Sequence, residues 1–357
     1  MTTIVATLGS NPLPVVLGVT ALARRYKQDV KAVAIAVTDQ TAHMTEPVLQ
    51  ALEALEVRRI RALFKPLKDS NIDNPNTWRA AFQGLGITGP VAAVYTGGTR
   101  AMSVALHHWA ASLDDSRTWS VDALHVACDQ QGERLPLPDL TGLGIELLGV
   151  LHDCHEVTVG RPTSEQFEPN LWEARDPYPF CNPGPIPEGE REEWGKAFEV
   201  WVQALVAKLS PQGTVVGGNV LGYLRNPAEP SKPARQQDPR RDPPLPHPTW
   251  RNFELDVVTI FGPRAAVIEV KSGSKDGLAY YPDVVEAGRR ARQFAGMRAG
   301  AALICRSDAG TVTQLRGQAR GTTASDVAVF GKSDIAEAIE TPEDCRLAGW
   351  LAGHRAT

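Results

Sequence analysis

The chain has 357 residues, enough for two domains of ordinary size, and 43% of them are hydrophobic, which excludes wholesale disorder. A formal net charge of -4 excludes broad basic attraction to nucleic acid, leaving only local basic surfaces for such contacts. The five cysteines (Cys128, Cys154, Cys181, Cys305, Cys345) are scattered and form no CxxC pair, which excludes a zinc ribbon or a disulfide framework and points to a reducing compartment. With no signal-peptide pattern at the N-terminus and no apolar run of bilayer length, the expectation is a cytoplasmic protein without membrane attachment.

In chain order, TTIVATL, KAVAIAV and PVAAVYT read as continuous apolar strands, with VRRIRALF as a further one. Between them LPVVLGVTALARRY and HMTEPVLQALEAL have helical periodicity. Such alternation predicts a mostly parallel, doubly wound sheet with helices on both faces, extending to about residue 150 with SVDALHVAC and GIELLGVL as late strands. A polar, proline-bearing stretch over residues 156–190, including EARDPYPFCNPGPIPEGE, reads as a connection. REEWGKAFEVWVQALVAKL then forms an amphipathic helix ended by Pro211, and TVVGGNVLGYL is β-like. The Pro- and Arg-rich stretch from Leu224 to Pro248 reads as a loop, either plainly solvated or holding phosphates through Arg225, Lys232, Arg235, Arg240 and Arg241. FELDVVTIFGPRAAVIEVKSG is a hairpin, followed by a helix through EAGRRARQFAGM, a strand AALIC, a helix near VTQLRGQAR, a strand DVAVF and a final helix.

The hairpin carries the chemistry. Counted outward from a turn at Gly262 and Pro263, Asp256 faces Glu269 and Glu254 faces Lys271, so all four share one face unless a bulge shifts the register. Directly opposed carboxylates repel. A hard divalent cation reverses that sign, because Mg²⁺ and Mn²⁺ favour carboxylate oxygens and retained waters. A lysine beside such a pair can orient a water or stabilise charge on phosphorus, the pattern of metal-assisted phosphodiester cleavage. An isolated ExK is more often an ordinary solvated strand face. Here the cross-strand acids, the apolar opposite face (Leu255, Val257, Ile268, Val270) and an upstream helix bearing Glu199 beside Phe198 and Trp201 favour the metal site.

This helix acid followed by E-L-D and I-E-V-K resembles the PD-(D/E)xK nuclease core over roughly Trp194 to Phe330, with Leu255 in place of the motif's proline. The resemblance implies cleavage of a nucleic-acid backbone with Mn²⁺ or Mg²⁺. Asp256 and Glu269 would be metal ligands, Lys271 would aid the attacking water, Glu199 would match the helix acid and further ligand, and Glu254 a frequent neighbour.

In the first part, three strand ends carry small polar residues: Gly9, Ser10 and Asn11; Thr38, Asp39, Gln40 and Thr41; and Thr96, Gly97, Gly98, Thr99 and Arg100. Carboxyl ends of strands are where doubly wound sheets bind ligands, and a glycine pair opening a helix offers N–H groups to an anion. The pattern is neither GxGxxG nor a Walker loop. GSNPLP, VTDQT and TGGTRAM together resemble a CARF sensor domain of type III CRISPR defence, with Arg100 where that family usually has lysine.

Both resemblances together imply a CRISPR ancillary nuclease of the single-CARF kind. The expected plan is an α/β chain with a Rossmann-like CARF domain at 1–155, a connection at 156–190 and a restriction-endonuclease-like PD-(D/E)xK domain at 191–357. The expected partners are a second copy in a homodimer, a cyclic oligoadenylate (cyclic tetra-adenylate) as activator, and single-stranded DNA, single-stranded RNA or supercoiled DNA as substrate. Rival readings are a sensor that binds nucleic acid without cutting, an enzyme that degrades the messenger, and a messenger-independent restriction or repair nuclease. Arg100 and His107 fit an R-x6-H ribonuclease spacing, but a sensor helix explains them better, and His152, Cys154 and His155 are poorly spaced for one metal. Trp78, Trp109 and Trp119 read as core or interface aromatics.

Overall fold

The structure is a computed structural model that describes residues 1–57, 60–63, 73–122, 124–162, 191–226, 229–233, 252–272, 277–296, 299–319 and 326–353. The stretch EARDPYPFCNPGPIPEGE with Cys181, and Arg235, Arg240 and Arg241 of the Pro- and Arg-rich stretch, lie outside the described residues. The chain divides into two compact units. One comprises Met1–Leu143, Val150–Asp153 and Arg225–Pro233, the other Gly144–Gly149, Cys154–Leu224 and Ala234–Thr357.

In the first unit, β1 (Thr2–Thr7), β2 (Val30–Ala36), β3 (Ile60–Leu63), β4 (Val91–Val94) and β5 (Arg117–Val121) form a parallel set in the order β3-β2-β1-β4-β5. The antiparallel strands β6 (His125–Cys128) and β7 (Arg134–Pro136) extend one edge. β1 and β4 are buried along nearly their whole length because both faces are covered, the β1 threonines Thr3 and Thr7 included. Helices α1 (Leu13–Tyr26) and α2 (Thr45–Ala54) follow β1 and β2. α3 (Pro75–Gln83) and α4 (Arg100–Ala111) pack a core of Trp78, Phe82, Met102, Leu106 and Trp109 against Val5, Ala34, Val91 and Ala93. Trp119 is also buried, so all three of these tryptophans are core. The strand order reverses between β1 and β4, and that reversal positions the candidate ligand loops.

GIELLGVL is a correction: it forms the helix α5 (Gly144–Leu151), not a strand. Its buried residues Ile145, Leu148, Gly149 and His152 recur at helical spacing, which a short and almost wholly apolar run hides from sequence. The expected connection at 156–190 also opens differently, since β8 (Cys154–Gly160) pairs with β9 (Val215–Asn226) of the second sheet. Within the expected Leu224–Pro248 loop, β10 (Glu229–Pro233) pairs with the end of β9 despite its two prolines, at the sheet edge where proline is tolerated.

The second sheet continues through β11 (Asn252–Phe261), β12 (Arg264–Lys271), β13 (Gly300–Cys305) and β14 (Val327–Phe330), antiparallel up to β12 and parallel beyond it. Helix α6 (Arg191–Leu209) buries Phe198, Val202 and Leu205 in one core with Val257, Ile268 and Val270. Helices α7 (Tyr281–Ala295) and α8 (Ala309–Ala319) precede β13 and β14. The expected single final helix is two, α9 (Lys332–Glu340) and α10 (Arg346–Leu351), joined at Asp334 by Arg346 at 2.9 Å.

Candidate functional site

Two places answer to the residues singled out by the sequence, one in each unit. In the second unit β11 and β12 pair from Phe261–Arg264 to Val257–Ile268, the register counted from the Gly262–Pro263 turn. Asp256 and Glu269 are next in line, and there the Asp256 carboxylate accepts the Val270 backbone N–H at 2.6 Å. Asp256 is 6% exposed and Glu269 3%, so two carboxylates have been taken out of water side by side. Burial first, and the Glu269 charge second, push the Asp256 carboxyl up to about 7, against the Val270 N–H and the Lys271 ammonium.

Glu269 is held by two cations. Lys271 Nζ donates to Oε1 at 2.5 Å, and Arg290 Nη1, from α7, donates to Oε2 at 2.9 Å and to Oε1 at 3.2 Å. Burial works to lower the Lys271 ammonium, but the Glu269 carboxylate outweighs it and holds the lysine above its ordinary value. Glu254 is exposed, and its backbone carbonyl accepts from Arg290 at 2.7 Å. Glu199 sits half-buried on α6, raised chiefly by burial. Lys271 opposes that shift, and Glu254 and Glu269 add to it, which brings all four charges within electrostatic reach.

No three His, Cys, Asp or Glu side chains among the described residues form a ready-made metal cage, the His152 and Cys154 neighbourhood included. The donor chemistry at Asp256 and Glu269 nevertheless fits a hard dication. Mg²⁺ takes one or two carboxylates and keeps its waters and a substrate phosphate for the remaining positions. A carboxyl raised by burial and by a neighbouring carboxylate can exchange its proton for such an ion, which relieves the repulsion between the two acids.

Sequence reasoning missed two arginines. Arg290 carries no mark beyond its i,i+4 spacing to Glu286, because its link to Glu269 spans 21 residues of chain. Arg306 is buried at the carboxyl end of β13, where it donates to the Ser272 carbonyl at 2.8 Å and lies 4.4 Å over the Trp194 ring. It thereby ties the start of α6 to the end of β12, and so fixes the helix carrying Glu199 beside the strand carrying Glu269 and Lys271.

In the first unit the carboxyl ends of β2, β1 and β4 lie side by side, which gathers the three polar strand ends. A Cβ on Gly97 would sit 2.0 Å from the Thr7 carbonyl oxygen, and one on Gly9 would sit 2.8 Å from the Gly98 amide nitrogen. Thr7 Oγ1 donates to the Gly97 carbonyl at 2.5 Å, and Ser103 Oγ at 2.9 Å. The glycines thus let two loop backbones touch at the switch point. Several of the predicted ligand residues are spent on this loop architecture. Thr38 and Thr41 are buried and bonded to each other, Thr96 Oγ1 accepts the Val121 N–H at 2.6 Å, and Thr99 caps α4 by accepting from Met102. Ser10, Asp39, Gln40 and Arg100 are exposed, and Asn11 Oδ1 is buried without a hydrogen-bond partner. His107, two turns along α4, is 3.4 Å from Asp129, which also accepts from Tyr95 Oη at 3.1 Å.

No protein-family profile matches the chain, and no curated protein is significantly similar to it in sequence. Solved structures are similar in fold. Protein VC1899 from Vibrio cholerae matches with a TM-score of 0.66 at 12% identity, covering 99% of this chain and 99% of that one. Can2 from Sulfobacillus thermosulfidooxidans, solved in complex with cyclic tetra-adenylate, matches with a TM-score of 0.59 at 14% identity, covering 95% of this chain and 98% of that one. The chain has the fold of these proteins along nearly its whole length, α/β in both units.

Proposed function

We propose that this protein is a nuclease switched on by a cyclic oligoadenylate, cyclic tetra-adenylate above all, and that it acts in the cytoplasm in type III CRISPR defence. The observation that carries the reading is the buried Asp256–Glu269 pair, one acid from each strand of the β11–β12 hairpin, with Lys271 bonded to Glu269. Support for the activator comes from the polar loops at the switch point and from a fold shared with Can2, a protein solved with cyclic tetra-adenylate.

Mn²⁺ or Mg²⁺ would be held by Asp256 and Glu269, with Glu199 as a further ligand and Glu254 at the rim. When bound, such an ion supplies Lewis acidity toward the scissile phosphate and toward a coordinated water. The protein's own residues do the rest. Lys271, kept protonated by Glu269, orients the attacking water and meets developing negative charge. The Val270 N–H holds the Asp256 carboxylate in a fixed orientation, which limits reorganisation when substrate arrives. In the first unit, backbone N–H groups at Gly9, Gly97 and Gly98, the polar side chains around them and Arg100 would take the phosphates of the ring. Ser10, Asn11, Asp39 and Gln40 would complete its surroundings, with Thr38, Thr41, Thr96 and Thr99 holding the loops in shape. A ring of identical phosphates suits a homodimer, since each copy meets an equivalent half.

The test is cleavage of labelled single-stranded DNA, single-stranded RNA and supercoiled plasmid in Mn²⁺, with cyclic tetra-adenylate present. The expected result is cutting of at least one substrate that Glu269→Ala reduces by at least about a thousandfold, as for loss of a group essential to the transition state. Equal cutting by Glu269→Ala would refute the assignment.

A further inference from the structure

We propose that Arg290 is a removable counter-ion that occupies Glu269 in the metal-free protein and moves to Glu286 when a divalent cation loads. This rests on the metal-site reading above and adds to it a regulator of loading. Both oxygens of Glu269 carry a cationic donor, and the carboxylate is 3% exposed, so a dication reaches it more readily once one donor withdraws. Like-charge repulsion favours that withdrawal once the ion arrives.

Of the two donors, Arg290 is the one already hydrogen-bonded to a second carboxylate. Its Nε already donates to Glu286 Oε1 at 2.9 Å, one helical turn back on α7, so the guanidinium bridges Glu286 and Glu269 at rest. Rotation toward Glu286 keeps its charge paired throughout. Lys271 has no second carboxylate hydrogen-bonded to it among the described residues, and its single salt bridge is to Glu269. Arg289 helps hold the alternative seat in place, bonding both oxygens of Glu286 at 2.6 and 2.5 Å without reaching Glu269. The groups facing Arg290 are therefore Glu269, the Glu254 carbonyl and, through space, Asp256 from the sheet, and Glu286 from its own helix.

The test is Mn²⁺ binding to the full-length protein without nucleic acid, read by calorimetry or by the free Mn²⁺ paramagnetic signal. Arg290→Gln is expected to bind Mn²⁺ roughly tenfold more tightly than wild type, the scale of one competing charge-assisted hydrogen bond. Arg290→Lys keeps the charge but cannot span both acids, and is expected to fall between the two. Arg289→Gln removes the same charge one residue away and is expected to stay within about twofold of wild type. Unchanged or weaker binding in Arg290→Gln, with wild-type binding that Glu269→Gln abolishes, overturns this inference and leaves the metal site standing. Equal tightening by Arg289→Gln and Arg290→Gln also overturns it, in favour of general charge. Absence of Mn²⁺ binding in both wild type and Arg290→Gln overturns the inference together with the metal site.

Discussion

Asp256 lies just past the paired part of the β11–β12 ladder, buried beside Glu269. Its carboxyl is raised to about 7, so in the metal-free protein the protonated form is favoured in the fold more than in the unfolded chain. The sign follows from that direction. Its contribution to stability is complete below its ordinary value near 3.8 and is lost as pH rises through about 7. A melting series in chelator between about pH 4.5 and pH 8.5 should therefore show a midpoint that falls up to about pH 7 and levels off above it, a fall that Asp256→Asn removes. Proton and metal compete for the same oxygens, so Mn²⁺ affinity should rise over the same window and lose that slope in the variant. A pH-independent affinity in wild type would contradict the assignment of Asp256 as a ligand.

Elements explain why some of this was legible in sequence. The hairpin register could be counted because strand side chains alternate with a period of two and the Gly-Pro turn marks the centre, and the observed pairs follow that count. The role of α7 could not be read, because its amphipathic pattern says only that one face is buried. The approach of Arg290 to Glu269 depends on how the helix crosses β12. GIELLGVL failed for a different reason, as a continuous apolar run has no period to distinguish helix from strand. β8 and β10 fell in stretches whose polarity and prolines read as loop, yet each finds a partner in β9. At the switch point the glycine pair was legible as a turn, while its reason, two loops in backbone contact, needed the sheet order. Gly97→Ala should accordingly cost about 1–3 kcal/mol in denaturant unfolding, from forced displacement against Thr7, and abolish binding of cyclic tetra-adenylate. On the other unit, Trp194→Ala should cost about 1–2 kcal/mol by removing the ring beneath Arg306. It should also slow cleavage by loosening α6, with Trp194→Phe restoring most of both. Cleavage unaffected by Trp194→Ala would show that α6 needs no such tether.

For the whole molecule, activation as proposed is a coupling between two sites. A chain with net charge -4 has no bulk attraction for a polyanion, so the proposed control by a small anionic ligand would rest on local sites and on differential binding. Activation by a hundredfold requires the ligand to favour the cutting arrangement by about 2.8 kcal/mol, the order of one or two charge-assisted hydrogen bonds to phosphate. The same linkage means that metal and nucleic-acid substrate should tighten binding of the ring by an equal factor, a reciprocal effect open to direct titration. The most direct measurement is the ratio of initial cleavage rates with and without saturating cyclic tetra-adenylate, on one substrate in one Mn²⁺ buffer. The expected ratio is at least about ten and collapses to one in Gly97→Ala, while any ligand-free rate is retained. A ratio of one in the wild-type protein, with cutting that Glu269→Ala abolishes, would mean a nuclease that answers to no such messenger.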